Sequence, residues 1–341
     1  MTAVLSRTER VAENLNTALH ELFARDATAY LLGEDVDDPY GGAFKVTRGL
    51  STRYPDRVLS TPLSEGGIVG VAGGLALAGD TAIVEIMFSD FVALAFDQIL
   101  NFATKSVSMY GTTVPMRLLV RCPTGGGRSY GPTHSQSLQK HFVGIPHLSL
   151  FEVSPFRDNG AVLGQALATG EPSVLFEDKI LYTQRMYRDG VVDDLFRYDL
   201  TDDGTARVYV DDQDEFDCVL IAPGGLTQRV VAAARSLLLE DEITCLVLVP
   251  SRLYPFDLGP LLPVLARTRL VCVAEESTEG GTWGAQVAHQ VHAELWDSLA
   301  KPVRLIHSAD RVVPTAAHLE RHVLVQADDI HRAVRKVVTG D

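Results

Sequence analysis

Thr61-Pro62-Leu63-Ser64-Glu65, continuing into Gly66-Gly67-Ile68-Val69-Gly70-Val71-Ala72-Gly73-Gly74, is the stretch on which the reading of this chain turns. The residues from Gly66 to Gly79 are so small and apolar that they predict a helix packed on most sides. One carboxylate stands at its start, and a buried carboxylate is expensive unless something pairs with it. Two explanations compete for Glu65. It caps its own helix, where free backbone N–H groups and the helix dipole favour negative charge, or it awaits a basic nitrogen on a ligand. Position alone favours the cap, because acidic residues are common in first helical turns.

Outward from this helix the sequence alternates between two periodicities. Helical spacing covers residues 11–24, 91–109 and 158–169; β-rich runs cover 28–32, 81–88, 116–122, 148–153 and 173–177. Such alternation predicts an α/β fold with a parallel sheet covered by helices on both faces. It resumes later, with strands expected at 218–222, 243–249, 270–274 and 303–306 and helices at 226–239, 258–266, 284–295 and 327–338. That is a second, smaller α/β domain. Between them, Asp189, Asp193, Asp194, Asp199, Asp202, Asp203, Asp211, Asp212, Asp214, Glu215 and Asp217 face only Arg197 and Arg207. We read 189–216 as an acidic connection with a solvated edge, separating a domain at 1–188 from one at 217–341. A recruitment site is the alternative.

A length of 341 residues suits two domains. Hydrophobic residues at 46% and charged residues at 22% are those of a folded globular protein. The net charge of −14, with no Lys/Arg-rich run, argues against nucleic acid as a partner. A basic protein segment fits that field better. The four cysteines form no CxxC or zinc-type spacing. Cys218, Cys245 and Cys272 sit in apolar runs and read as buried; Cys122 borders a glycine-rich loop. Residues 1–10 contain no apolar signal core and no apolar run reaches 18 residues, so a cytoplasmic protein without membrane contact is expected.

Neither GxGxxG nor a Walker-type GxxxxGK[ST] occurs and no GxSxG elbow is expected, so the simplest dehydrogenase, NTPase and esterase readings are set aside. Pro123-Thr124-Gly125-Gly126-Gly127-Arg128-Ser129-Tyr130-Gly131-Pro132-Thr133-His134 is too long and glycine-rich for a mere connector. His134 is therefore a candidate acid, base or hydrogen-bond donor; His141 and His147, without such context, read as structural. Glu85-Ile86-Met87-Phe88-Ser89-Asp90-Phe91 leaves the carboxyl end of a strand, where open α/β sheets place ligands. Met87 and Phe91 are equally compatible with the core.

These segments carry a resemblance that spans nearly the whole chain. Together with Leu31-Leu32-Gly33-Glu34-Asp35-Val36, Gly42-Ala43-Phe44-Lys45-Val46-Thr47-Arg48-Gly49-Leu50, Phe96-Asp97-Gln98, His134-Ser135-Gln136-Ser137 and Phe176-Glu177-Asp178-Lys179-Ile180-Leu181-Tyr182, they occur in an ordered set. The set resembles the beta subunit of the thiamine-diphosphate-dependent decarboxylating component of 2-oxoacid dehydrogenase complexes, in the transketolase-like superfamily. The resemblance implies a pyrimidine-binding transketolase-like domain followed by a transketolase C-terminal-type domain. By position, Glu65 resembles the glutamate that activates the coenzyme through its pyrimidine ring, with burial keeping the carboxyl protonated nearer neutral pH. Phe91 resembles the aromatic that stacks on that ring. Met87, Leu63 and Glu34 fall in the same cofactor pocket, and His134 resembles the active-site histidine near substrate and acyl acceptor.

Departures from the family pattern matter as much. The superfamily binds the diphosphate through magnesium with a GDG motif, which this chain lacks. The resemblance then implies that an alpha subunit holds the metal, in an α2β2 heterotetramer, and that this chain contributes no metal ligand. At Thr169-Gly170-Glu171-Pro172 relatives carry residues that hold a structural potassium ion, and the difference puts that ion in doubt. The loop at 128–133 also departs from pyruvate-type relatives, which leaves the donor open among pyruvate, a branched-chain 2-oxo acid and a ketose. The expected reaction is oxidative decarboxylation of a 2-oxo acid with acyl transfer to a lipoyl group on an acyltransferase core. Alternatives are a transketolase-type two-carbon transfer to an acyl carrier protein, and a non-catalytic scaffold subunit.

Overall fold

The computed structural model describes residues 8–211, 213 and 215–340. Residues 1–7, most of the amino-terminal segment searched for a signal core, and Asp212 and Asp214 of the acidic run lie outside the described residues. In chain order the strands are β1 (Ala29–Gly33), β2 (Val58–Ser60), β3 (Thr81–Glu85), β4 (Leu118–Thr124), β5 (Ser149–Glu152), β6 (Ser173–Asp178), β7 (Phe196–Leu200), β8 (Ala206–Val210), β9 (Cys218–Ile221), β10 (Cys245–Val249), β11 (Arg252–Tyr254), β12 (Val271–Thr278) and β13 (Arg304–Ser308).

The first sheet has the order β11-β5-β6-β4-β3-β1-β2. All its pairings are parallel except β11 on β5. Successive strand residues serve opposite faces. Leu31, Ile83 and Leu119 pack under helices Val11–Arg25 and Asn159–Ala168. Leu32, Val84 and Val120 pack under helix Glu65–Leu77 and the helical stretch that starts at Ser89. Burial on both faces is why these strands read as continuous apolar runs. Helix Glu65–Leu77 needs its glycines for close approach. A Cβ on Gly73 would lie 2.5 Å from Phe102 Cε1, so the neighbouring helical stretch sits where only a bare backbone permits it.

Three expectations shift. The strand read at 81–88 stops at Glu85, and a helical stretch begins at Ser89. The helix read at 91–109 is irregular, passing from an α turn through a 3-10 turn (Ala93–Ala95) to a wide π turn (Gln98–Ala103) before Thr104–Ser106. Thr104 Oγ1 donates back to the Leu100 carbonyl at 2.9 Å, the side-chain competition that bends helices. Within the acidic connection, β7 and β8 form an antiparallel hairpin.

That hairpin forms the edge of the second sheet, ordered β13-β12-β9-β10-β8-β7. Acids in and just before the hairpin are paired locally: Arg207 grips Asp199 at 2.6 and 2.7 Å, and Arg235 meets Asp194 at 2.8 and 3.1 Å. All four cysteines are buried free thiols, including Cys122. Among the described residues no helix is long and apolar enough to cross a membrane.

The two halves are interlocked. β11 follows β10 of the second sheet yet completes the first, pairing Arg252 with Phe151 and Tyr254 with Leu150. Trp283, fully buried, donates from Nε1 to the Leu253 carbonyl at 2.8 Å and anchors that strand. Gly224 lies in the same seam, and a Cβ there would overlap the Val153 carbonyl oxygen. Gly224→Ala is therefore expected to cost about 1–3 kcal/mol through overpacking. Chemical denaturation checks this; an unchanged midpoint would show that the seam yields freely.

Candidate functional site

Strands β1, β3, β4 and β6 run parallel, so their carboxyl ends share one edge of the first sheet. Glu34 directly follows β1 and is buried, its Oε1 without a hydrogen-bond partner. Burial, reinforced by the charge of Glu65, pushes the Glu34 carboxyl above its ordinary range. Glu65 is the first residue of its helix and only 9% exposed. Ser64 occupies the N-cap without a side-chain bond. Among the described residues no protein group donates a hydrogen bond to the Glu65 carboxylate. Two carboxyl groups thus adjoin at a helix start: the Ser64 amide serves Glu34, whose Oε1 stays unpartnered, and Glu65 is left for a donor from elsewhere. Leu63, just before them, stands 82% exposed, so only a second surface closing over it would bring it into a pocket.

A Cβ on Gly66 would lie 3.2 Å from the Leu94 carbonyl, which sets the start of this helix against the stretch that carries Phe91. Phe91 is half-buried and meets Phe88 edge-on, centroids 6.1 Å apart. The His134 ring stands edge-on to both, at 5.2 Å from Phe91 and 4.8 Å from Phe88. Edge-to-face contact fixes ring orientation. His134 Nδ1 lies 3.0 Å from Thr133 Oγ1. Met87 is half-buried in the turn between β3 and this stretch. The structure thus brings Phe91 and His134, read from separate segments, into contact.

Behind them sits Lys179, fully buried, its Nζ without a hydrogen-bond partner and 5.5 Å from the Phe88 centroid. Burial pulls its pKa below the ordinary lysine value, against the opposing charges of Asp178, Asp90 and Glu276. Asp90 accepts from Gln136 N and Nε2 at 3.2 and 2.8 Å through Oδ1, while its Oδ2 is unpartnered. Both residues fall inside segments that carry the family resemblance, but sequence reasoning did not pick either as a site residue. For Lys179 the signal was a lone cation directly after the apolar strand β6; Asp90, inside a helical turn, had none.

Deeper still, Arg121 of β4 donates to Glu177 at 2.7 and 2.9 Å and to Glu85 at 3.0 Å, all three fully buried. Burial works to lower the Arg121 pKa, but Glu177 and Glu85 overcome it and hold the guanidinium above its ordinary value. Tyr182 completes the set, donating to Glu177 at 2.7 Å. The other Glu85 oxygen accepts from the Ala43 amide at 2.6 Å. A buried ionic cluster therefore fastens the segment 42–50 to the carboxyl edge.

Where the domains meet, Glu152 accepts from the Gly225 amide at 2.7 Å and from Gln139 Nε2 at 2.8 Å. Burial raises its pKa to about 8, and Asp178 nearby is raised to about 7 by burial and then by the charge of Glu276. A carboxyl with a raised folded pKa contributes stability that is full below its unfolded value and disappears as pH rises through the folded one. The chain is therefore expected to lose stability between about pH 4.5 and pH 8. Glu152→Gln should remove much of that slope, and be more stable than the parent at pH 9 by on the order of 2–4 kcal/mol. Denaturant titrations at pH 5 and pH 9 check this.

The esterase reading needs a correction, since Gly127-Arg128-Ser129-Tyr130-Gly131 does spell GxSxG. A nucleophile elbow is a tight strand-to-helix turn. Here Ser129 lies in a long loop that no helix directly follows, and its amide is bound to Glu320 at 3.0 Å. The Thr169–Glu171 turn is closed on itself: Thr169 Oγ1 donates to the Ala166 and Glu171 carbonyls, and the Glu171 carboxylate lies 2.8 Å from His147.

Comparison with known proteins agrees with this two-domain fold. Residues 10–184 match the pyrimidine-binding domain of transketolase, and residues 206–330 match the transketolase C-terminal domain. The chain is 31% identical to the mitochondrial pyruvate dehydrogenase E1 component subunit beta-2 of Oryza sativa subsp. japonica, over 96% of this chain and 85% of that protein. It is 32% identical to the pyruvate dehydrogenase E1 component subunit beta of Porphyra purpurea, over 96% of each. With the Rickettsia bellii subunit beta the identity is 30%, over 96% of this chain and 98% of that one. A solved structure described as a split-gene transketolase, inactive beta4 tetramer, superposes with a TM-score of 0.71 at 21% identity, covering 98% of this chain and 99% of the other. Both domains, in this order and over nearly the full length, make the chain a member of the transketolase-like family that includes the E1 component beta subunits.

Proposed function

We propose that this chain is the beta subunit of a thiamine-diphosphate-dependent 2-oxoacid dehydrogenase, and that it presents Glu65 to the pyrimidine half of the coenzyme. The observation carrying the reading is a buried carboxylate without a protein donor at the carboxyl edge of the sheet. The residues present fit such a ligand: Glu65 and the orphaned Glu34 Oε1 offer acceptors for nitrogen donors, and Phe91 offers an apolar ring face. When bound, the coenzyme supplies the electron sink for decarboxylation.

The chain's own residues bind, orient and manage protons. Glu65 would accept a hydrogen bond from, or share a proton with, the pyrimidine nitrogen, beside the second carboxyl of Glu34. His134, held edge-on to Phe88 and Phe91, would supply a ring nitrogen that steadies developing oxyanion charge or passes a proton. Met87 completes the apolar wall. Leu63, exposed here, is covered in the assembly.

Magnesium and the diphosphate belong to an alpha subunit, because this chain lacks the motif that binds them. We assign an α2β2 assembly on that ground. Potassium is left out of the proposal: the groups of the Thr169–Glu171 turn already satisfy one another. The acyl acceptor is a lipoyl group on an acyltransferase core, and the location is the cytoplasm; the mitochondrial relatives mark the alternative.

The test is to co-purify the chain with the product of its neighbouring gene, add thiamine diphosphate and magnesium, and screen 2-oxo acids and ketose phosphates with an artificial electron acceptor. Turnover of a 2-oxo acid supports the reading. Turnover of a ketose phosphate alone selects two-carbon transfer to a carrier protein instead, and a complex inactive on both classes sinks both readings.

A further inference from the structure

We propose that the second domain takes part in the reaction through Glu320, a positioning residue that clamps the loop carrying His134; the proposal rests on the beta-subunit reading. The loop has positive φ at Gly125, Gly127, Ser129 and Gly131. A backbone so rich in glycine has many other conformations open to it, and ordering it is costly.

Carboxylates of the second domain hold it. Glu320 Oε1 accepts from the Gly127 amide at 2.9 Å, and Oε2 accepts from the Ser129 amide at 3.0 Å. Glu276 Oε1 accepts from the Gly126 amide at 2.7 Å and from Ser137 Oγ at 3.2 Å, tying the start of the loop to its end. The loop lies directly on the helix Ala317–Val323 and its following residue: a Cβ on Gly126 would run into Leu324.

The two carboxylates differ in one decisive respect. Glu276 is neutralised by Arg229 at 2.5 Å whether or not the loop is present. Glu320 is 3% exposed; among the described residues no cation lies within ion-pair distance of it, and Arg229, which feels its charge from further off, is bound to Glu276. Its hydrogen-bond donors are the loop amides, with the Ser129 hydroxyl at 3.5 Å. If the loop swings away, a buried charge loses its donors, and that penalty drives the loop back. The clamp therefore holds the loop and His134 in one place, ready for substrate.

Glu320→Gln tests this, because an amide offers one acceptor oxygen and turns an NH2 group toward the second loop amide. In the full chain, verified as folded by its thermal midpoint, hydrogen exchange across 125–134 is expected to accelerate about tenfold or more, as for loss of a charge-assisted hydrogen bond. The His134 ring resonance, identified with His134→Asn, should shift and broaden. In the complex with the partner subunit, kcat should fall roughly 10- to 100-fold with little change in substrate KM. Glu320→Asp keeps both acceptors on a shorter stem and should recover part of each effect; it also serves if the glutamine variant does not fold. Unchanged exchange in folded variants overturns the proposal, and so does faster exchange with an unmoved His134 resonance and unchanged kcat. A parent complex without thiamine-dependent turnover sinks the functional reading instead, and exchange and the His134 resonance then decide the clamp alone.

Discussion

Replacing Glu65 by Gln is expected to abolish turnover, by at least about 10²- to 10⁴-fold, the range that general acid–base groups contribute. The amide has nearly the same volume and still forms hydrogen bonds, so the helix start should keep its packing. It cannot take up or release a proton at neutral pH, and that is the property the proposed role requires. Glu65 is buried, has no donor among the described residues and adjoins a second carboxyl at Glu34. Assembly with the partner and the thermal midpoint should remain near parental values, measured by sedimentation and calorimetry on the same preparations. Full activity of Glu65→Gln would show that the carboxyl serves only its own helix.

Arg121→Met should destabilise the chain severely, well beyond the effect of Gly224→Ala. Arg121 is the cation between Glu85 and Glu177, and its removal leaves two fully buried carboxylates facing each other. Breaking such a cluster costs about 3–5 kcal/mol, against a total stability of roughly 5–15 kcal/mol for a domain. The effect should reach the site, because Glu85 also receives the Ala43 amide. Adding Glu85→Gln and Glu177→Gln should recover much of the loss by removing the stranded charges. Urea denaturation of the single and triple variants measures both; a loss under about 1 kcal/mol in the single variant would show that solvent reaches the cluster.

Much of this was legible in the sequence because it is local. The glycine-rich helix and the apolar strands follow from spacing and composition, whereas grouping Glu65, Phe91 and His134 in one site rests on the family resemblance. The β7–β8 hairpin had a signal, an Asp203-Gly204 turn between β-rich runs, that the count of acidic residues masked. The β11–β5 pairing joins residues about 100 positions apart, and no local period announces it. Glu320 and the loop it holds are separated by more still. No element is read from the sequence at 317–323, and only the folded chain reveals that the carboxylate is buried against backbone amides. The irregular helix after Ser89 was missed because helical periodicity does not register one wide turn.

The borrowed strand β11 also bears on how the protein is made. While a ribosome extends the chain from residue 152 to residue 254, at about 5–20 residues per second, the outer border of β5 stays bare for several seconds. An unpaired border of this kind invites pairing with a neighbouring nascent chain. The amino-terminal half therefore matures only after part of its successor has emerged. A gene break that preserved the first sheet would have to fall after Tyr254, inside what looks like the second unit.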